Sequence, residues 1–201
     1  MPEEVDREKR TTLRQFAALG AVGPLAGLVN GDGEESLSRD AITGYLSATP
    51  GAHFSKLRDD LTLSTGEAQH HLGRLVEAGA VESVKDGEYR RFFLTDTFDE
   101  FEKAALGYLR RDTPRAMVVE LLLDPDANGA ELAERVDVSR ATVSTYAAEL
   151  SERGLLSRTD GYAVERPETV LLLLSRYADS FGPDARRLAE RADSLVRYRP
   201  D

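Results

Sequence analysis

The chain is 201 residues long, enough for one medium domain or two small ones with cores of their own. It has no cysteine, which removes disulfides and thiolate metal sites, and its three histidines (His53, His70 and His71) offer no histidine-based metal site. Acidic residues outnumber basic ones 36 to 26, a net charge of −10, and only Lys9, Lys56, Lys85 and Lys103 among the cations are lysines. An acidic, arginine-biased surface suits a salt-adapted cytoplasm, although a GC-rich genome gives the same arginine bias, and it weighs against nucleic-acid binding unless the charge is unevenly spread.

Residues 1–36 form an N-terminal helical segment by expectation. Gln15 to Gly31 is a 17-residue run without charge, including FAALGAVGPLAGLV (Phe16–Val29). Lys9-Arg10 and Leu13-Arg14 precede it, and the combination resembles a twin-arginine export signal. The run falls short of the roughly 20 residues that span a bilayer, is broken by Pro24, and has no clear cleavage site. A helix packed on the first domain or on a partner subunit is the favoured reading; an export signal or membrane anchor over residues 15–31 stays open.

A repeat with a constant offset of 75 organises the rest of the chain: Pro50 matches Pro125, Leu57 matches Leu132, Leu61 matches Val136, Ser64 matches Ser139, Leu75 matches Leu150 and Gly79 matches Gly154. Two copies are too few for a solenoid and read as two domains of one fold. In each, a first helix carries Ile42, Tyr45 and Leu46, or Met117, Glu120 and Leu121. A short second helix carries Phe54, Leu57 and Leu61, or Leu132 and Val136. Next is a turn, Thr62-Leu63-Ser64 or Asp137-Val138-Ser139, whose serine is a natural N-cap for the third helix. There Ala68, Leu72 and Leu75, or Val143, Ala147 and Leu150, make a one-sided stripe, and Gly79 or Gly154 stops the helix. A hairpin closes each copy: Val81–Val84, Asp86-Gly87 and Tyr89–Leu94, or Leu155–Thr159, Asp160-Gly161 and Tyr162–Val164.

The expected fold is mainly α with small β wings: a first winged helix domain over 37–96, a linker helix over 97–111 with Phe98, Phe101, Ala105 and Leu109 as its stripe, a second winged helix domain over 112–166, and C-terminal helices over 167–201. The last are read as Thr169–Phe181 and Asp184–Tyr198, separated by Gly182-Pro183, and are a candidate dimerisation surface.

STGEAQHHLGRLVEAGAV (Ser64–Val81) with KDGEYRRFFLT (Lys85–Thr95), and SRATVSTYAAELSERGLL (Ser139–Leu156) with DGY (Asp160–Tyr162), resemble the ArsR/MarR-type winged helix family. The tandem arrangement with this composition is similar to regulators of halophilic archaea. The resemblance implies a dimeric transcription factor; metal sensing is not carried over, because no matching cysteine or histidine–carboxylate cluster is present.

In this fold the third helix enters the major groove and the wing touches the backbone. Opposite the buried stripe of the first copy lie Gly66, Gln69, His70, Gly73 and Arg74, with Thr65 at the helix start. Gln69 can pair with adenine and Arg74 with guanine or phosphate, while Gly66 and Gly73 permit close approach of the backbone. Lys85, Tyr89, Arg90 and Arg91 are candidate phosphate contacts in the wing, although strand alternation sends one of the two arginines inward. His71 falls on the flank of the stripe, where packing and contact are equally open. In the second copy the outward face holds Ala141, Ser144, Thr145, Ala148 and Glu149, flanked by Arg140 and Thr142, with Arg158 in the wing. Glu149 stands where the first copy has Arg74, so the first domain is the expected stronger reader.

Residues 65–91 carry a net charge of −1 and residues 139–166 a net charge of 0, so the acidity lies mostly elsewhere. The expected function is a homodimeric, cytoplasmic, sequence-specific regulator bound to double-stranded DNA, without cofactor or metal. The alternative is a protein-interaction scaffold of the chromosome-segregation ScpB kind or a transcription-complex subunit. No nucleophile constellation, acid/base pair or phosphate loop suggests an enzyme.

Overall fold

A computed structural model describes residues 2–20 and 34–195. The chain divides into two compact units, Met1–Phe98 and Asp99–Asp201. The first contains α1 (Pro2–Gly20), α2 (Glu34–Ala48), β1 (Ala52–His53), α3 (Phe54–Asp60), α4 (Thr65–Glu77), β2 (Val81–Asp86) and β3 (Tyr89–Leu94). Its core gathers Ile42, Tyr45 and Leu46 from α2, Leu57 from α3, Leu61 and Leu63 from the turn, Ala68, Leu72 and Leu75 from α4, and Ala52, Val81, Phe92 and Leu94 from the sheet. The three strands are antiparallel in the order β1-β3-β2.

The N-terminal helix packs on this core. Leu13 is buried in it, and Phe16 stands edge-on to Tyr45 with ring centroids 5.3 Å apart. Most of the uncharged run lies at residues 21–33, outside the described residues. Among the described residues no helix is long and apolar enough to cross a membrane.

The second unit contains α5 (Glu100–Leu109), α6 (Asp112–Leu123), α7 (Gly129–Val136), α8 (Arg140–Glu152), β4 (Leu156–Ser157), β5 (Ala163–Val164), α9 (Pro167–Arg176), α10 (Ala178–Phe181), α11 (Pro183–Ala189) and α12 (Ala192–Leu195). Leu106, Met117, Leu132, Leu150 and Leu174 are fully buried in it. A buried arginine ties three of its helices: Arg115 donates from Nε to Asp184 at 2.9 Å, from Nη1 to the Leu109 carbonyl at 3.1 Å and from Nη2 to Asp112 at 2.8 Å. The helix read as a linker, α5, is part of this unit and packs against α9. The helix expected over Asp184–Tyr198 is broken: α11 closes on Glu190, Arg191 donates back to the Leu188 carbonyl, and α12 is a separate turn. Residues 196–201 lie outside the described residues.

The repeat is visible in backbone detail. Helices α4 and α8 each have 13 residues and start 75 positions apart. Each is preceded by a left-handed residue in the turn, Thr62 at φ 53° or Asp137 at φ 57°. The next amide folds back on the second helix, Leu63 to the Arg58 carbonyl at 3.0 Å and Val138 to the Ala133 carbonyl at 2.9 Å. His53 and Asn128, also 75 apart, are the N-caps of α3 and α7. The copies differ in the sheet. The second has two strands of two residues each, Leu156 opposite Val164 and Ser157 opposite Ala163, and no partner for them equivalent to β1 among the described residues.

Burying Leu13 ties α1 to the fold. Leu13→Ala is expected to lower the unfolding free energy of the first unit by about 2–5 kcal/mol, measured by denaturant titration. An unchanged midpoint would mean that α1 does not pack.

Candidate nucleic-acid interface

Helix α4 owes its position to its ends and to one stripe. Ser64 Oγ accepts the Glu67 amide at 3.3 Å while Glu67 Oε2 accepts the Ser64 amide at 2.9 Å, a reciprocal capping box. Ala68, His71, Leu72 and Leu75 face inward, which assigns His71 to packing. Thr65, Gly66, Gln69, His70, Gly73 and Arg74 are all exposed, so one helix face brings together every α4 residue expected to meet DNA. A Cβ built on Gly66 or Gly73 meets no heavy atom within 4 Å. Nothing inside the protein requires glycine at these two positions.

The wing sorts its residues by register. Lys85 pairs with Arg90, Val84 with Arg91 and Asp86 with Tyr89 across β2–β3, and His53 pairs with Arg91 across β1–β3. Paired residues share a face and neighbours alternate. Lys85 and Arg90, both exposed, therefore share the face that closer to the body carries Phe92 and Leu94 into the core. Tyr89 lies on the opposite face, 53% exposed, its ring 5.3 Å from that of His53. His53 Nδ1 accepts the Lys56 amide at 3.3 Å, and burial, reinforced by nearby Arg91, lowers its pKa, which keeps that nitrogen an acceptor.

Arg91 is the correction to the wing. Expected to reach phosphate, it is only 3% exposed. Its Nε donates to Asp86 and its Nη1 donates to the Gly51 carbonyl at 3.1 Å. The guanidinium pins the wing to the loop before β1. Strand alternation turns one arginine of the pair inward, and that one is Arg91.

Two cations that no sequence pattern marks stand at the start of α4. Arg58 Nη1 lies 3.4 Å from Thr65 Oγ1, and Lys9 Nζ of α1 pairs with Glu67 Oε1 at 2.6 Å. The repeat gave no signal for Arg58, because the matching position is Ala133. The Lys9 bond, helped by the Ser64 hydrogen bonds, lowers the Glu67 pKa from 4.5 to about 2.

In the second unit Arg140, Ala141, Ser144 and Thr145 are exposed on α8, and Arg158 is exposed in the short hairpin. Thr142 is spent on the cap: its amide donates to Ser139 Oγ at 3.0 Å and its hydroxyl lies 2.8 Å from the same atom. Thr145 Oγ1 donates back to the Ala141 carbonyl at 3.0 Å. Glu149 faces Arg111 at 3.5 Å, so the carboxylate opposite in character to Arg74 already has a cation. Tyr162 folds over the start of α7, its ring 3.2 Å from where a Cβ on Gly129 would stand. Among the described residues no group of three metal-ligating side chains occurs.

Arg91 and Arg90 should separate cleanly on mutation. Arg91→Ala removes the buried guanidinium that pairs with Asp86 and bonds the Gly51 carbonyl and is expected to destabilise the first unit by about 3–5 kcal/mol, whereas Arg90→Ala leaves the thermal midpoint unchanged. Equal midpoints for the two variants would remove the internal role of Arg91. The low Glu67 pKa fixes a pH dependence. A carboxyl more acidic in the folded chain than in the unfolded one contributes stability above the unfolded value of 4.5, and loses it as pH falls toward about 2. Glu67→Gln should therefore flatten the acid limb of unfolding in that window; a limb of unchanged slope would show that the Lys9–Glu67 pair contributes nothing.

Two family models match the chain: residues 36–106 match one described as an N-terminal HTH domain, and residues 100–157 match one described as winged helix-turn-helix DNA-binding. No curated protein and no solved structure matches it. Both copies of the repeat are thus helix-turn-helix domains, the second matched as a DNA-binding type, and the chain is a tandem winged helix-turn-helix protein.

Proposed function

We propose that the chain is a cytoplasmic, sequence-specific regulator of transcription that binds double-stranded DNA as a homodimer and reads it chiefly through the first unit. The observations that carry this reading are two: Gln69 and Arg74 are exposed on one face of α4, and Lys85 and Arg90 are exposed side by side in the wing. Gln69 supplies the donor–acceptor pair that adenine takes, and Arg74 the fork that guanine takes. Lys85 and Arg90 lie where a wing meets phosphates. Thr65 and His70 complete the helix edge, and Tyr89, on the other face of the wing, contacts the backbone only at the hairpin tip. The net charge of −1 over residues 65–91 keeps non-specific affinity low and leaves discrimination to the base contacts. The chain is not an enzyme on this reading.

The second unit reads weakly through Arg140, Ser144, Thr145 and Arg158, or serves assembly. The Arg111–Glu149 pair favours assembly, because it neutralises the position that would face the groove. Leu172, 63% exposed on α9, supports a dimer contact formed by the C-terminal helices.

Gel shifts at the organism's working salt, guided by genome-wide occupancy, test the reading. Arg74→Ala with Arg90→Ala should abolish the specific shift while the protein stays folded; absence of any enriched site would sink it. Gly73→Ala gives an independent check. It should stabilise the free protein by about 1 kcal/mol, as removing a mid-helix glycine does, and weaken DNA binding by obstructing close approach. Tighter or unchanged binding would remove Gly73 from the interface.

A further inference from the structure

The second copy lacks the strand that closes the first. In the first unit the chain leaves α2 and at once lays β1 along β3: the Gly51 amide donates to the Phe92 carbonyl at 2.9 Å, and Ala52 pairs with Phe92. At the offset of 75, Pro125, Asp126 and Ala127 stand in place of Pro50, Gly51 and Ala52. There the Asp126 amide donates to Asp124 Oδ1 at 3.3 Å instead, and among the described residues no strand pairs with the outer edge of β5. A cavity of about 630 Å³ lies at this gap, within the range of roughly 300–1,000 Å³ that small-molecule sites occupy. Leu121 and Leu123 of α6, Val164 of β5 and Leu171 of α9 give it apolar walls, and the charged side chains that line it are two carboxylates, Asp126 and Glu168.

We infer that this cavity is a binding site for an organic cation with an aliphatic body, an alkylamine or alkylammonium ion. Neither Asp126 nor Glu168 has a side-chain hydrogen bond or ion pair among the described residues. The cations nearest in the fold are engaged elsewhere: Arg135 pairs with Asp124 and Glu120, and Arg166 pairs with Asp99 and lies over the Phe101 ring. A cation carried in by a ligand answers both carboxylates, whereas an anion of the same shape is repelled. The lining holds no aromatic ring, so the charge is met by the carboxylates and not by a ring face. Affinity comes from aliphatic surface buried against the four apolar side chains. A ligand in the cavity stands against the returning strand of the hairpin, as β1 does in the first unit, and braces a ladder of only two residue pairs. The inference is independent of how α4 and the first wing are read.

The test is isothermal titration calorimetry of the full chain with decyltrimethylammonium, kept below its micelle concentration, and with decanesulfonate, which has the same alkyl chain and the opposite charge. The cation should bind at one site per chain and about tenfold more tightly than the sulfonate, the combined effect of two partly exposed charge contacts. Asp126→Asn with Glu168→Gln should erase that preference and leave the thermal midpoint of the free protein unchanged. Ala163→Phe, which fills the cavity from an exposed position on β5, should weaken both probes. Absence of binding by the cation, equal affinity for the two probes in the unsubstituted chain, or cation binding untouched by Ala163→Phe would each overturn the proposal.

Discussion

The corner between α3 and α4 is the constraint on which the first unit depends. Four residues, Leu61 to Ser64, close one helix, reverse the chain and open the next. Thr62 takes a left-handed conformation that a β-branched residue resists, and it is held there because Leu61 and Leu63 on either side are buried. The Leu63 amide satisfies the Arg58 carbonyl, and Ser64 Oγ satisfies the Glu67 amide, one of the free amides at the start of α4. With both helix ends committed, the phase of α4 is fixed, and with it the side on which Gln69 and Arg74 emerge. The same corner recurs 75 residues later with Asp137 in the left-handed position. There the reading-helix face is filled with small hydroxyls and a paired carboxylate.

The two units solve the placement of a buried cation differently. In the first, Arg91 joins the wing to the loop before β1, so the strength of the ion pair is spent on holding the hairpin. In the second, Arg115 joins α5, α6 and α11, and the hairpin is left short. A long wing braced by a third strand can present Lys85 and Arg90 at a defined place. A two-residue ladder offers Arg158 no comparable support. The difference in reading power expected from Arg74 against Glu149 is therefore reinforced by the backbone.

Much of the fold was legible in the sequence because it is local. Serine caps, glycine stops and apolar stripes at helical spacing act within a turn or two, and the repeat supplied each signal twice. What escaped was set by contacts between distant residues. That Arg91 is the inward one of the pair is seen in its bonds to Asp86 and to the Gly51 carbonyl, 40 positions away. The partner of Glu149 is Arg111, at the junction of α5 and α6 and 38 positions away. Thr142, expected at the groove, also takes part in the cap of α8, its hydroxyl 2.8 Å from Ser139 Oγ. The C-terminal amphipathic pattern suggested one helix; after α11 the chain instead folds back through the Arg191 amide and begins again as α12.

The central claim is that the two units are unequal readers. It is tested most directly by titrating one DNA duplex, bearing an enriched site, with two variants of the full chain: Arg74→Ala with Arg90→Ala, and Arg140→Ala with Arg158→Ala. The first pair should weaken specific binding at least about tenfold, the loss expected when a base contact is removed, and the second pair should change it little. Equal losses, or a larger loss from the second pair, would contradict the account.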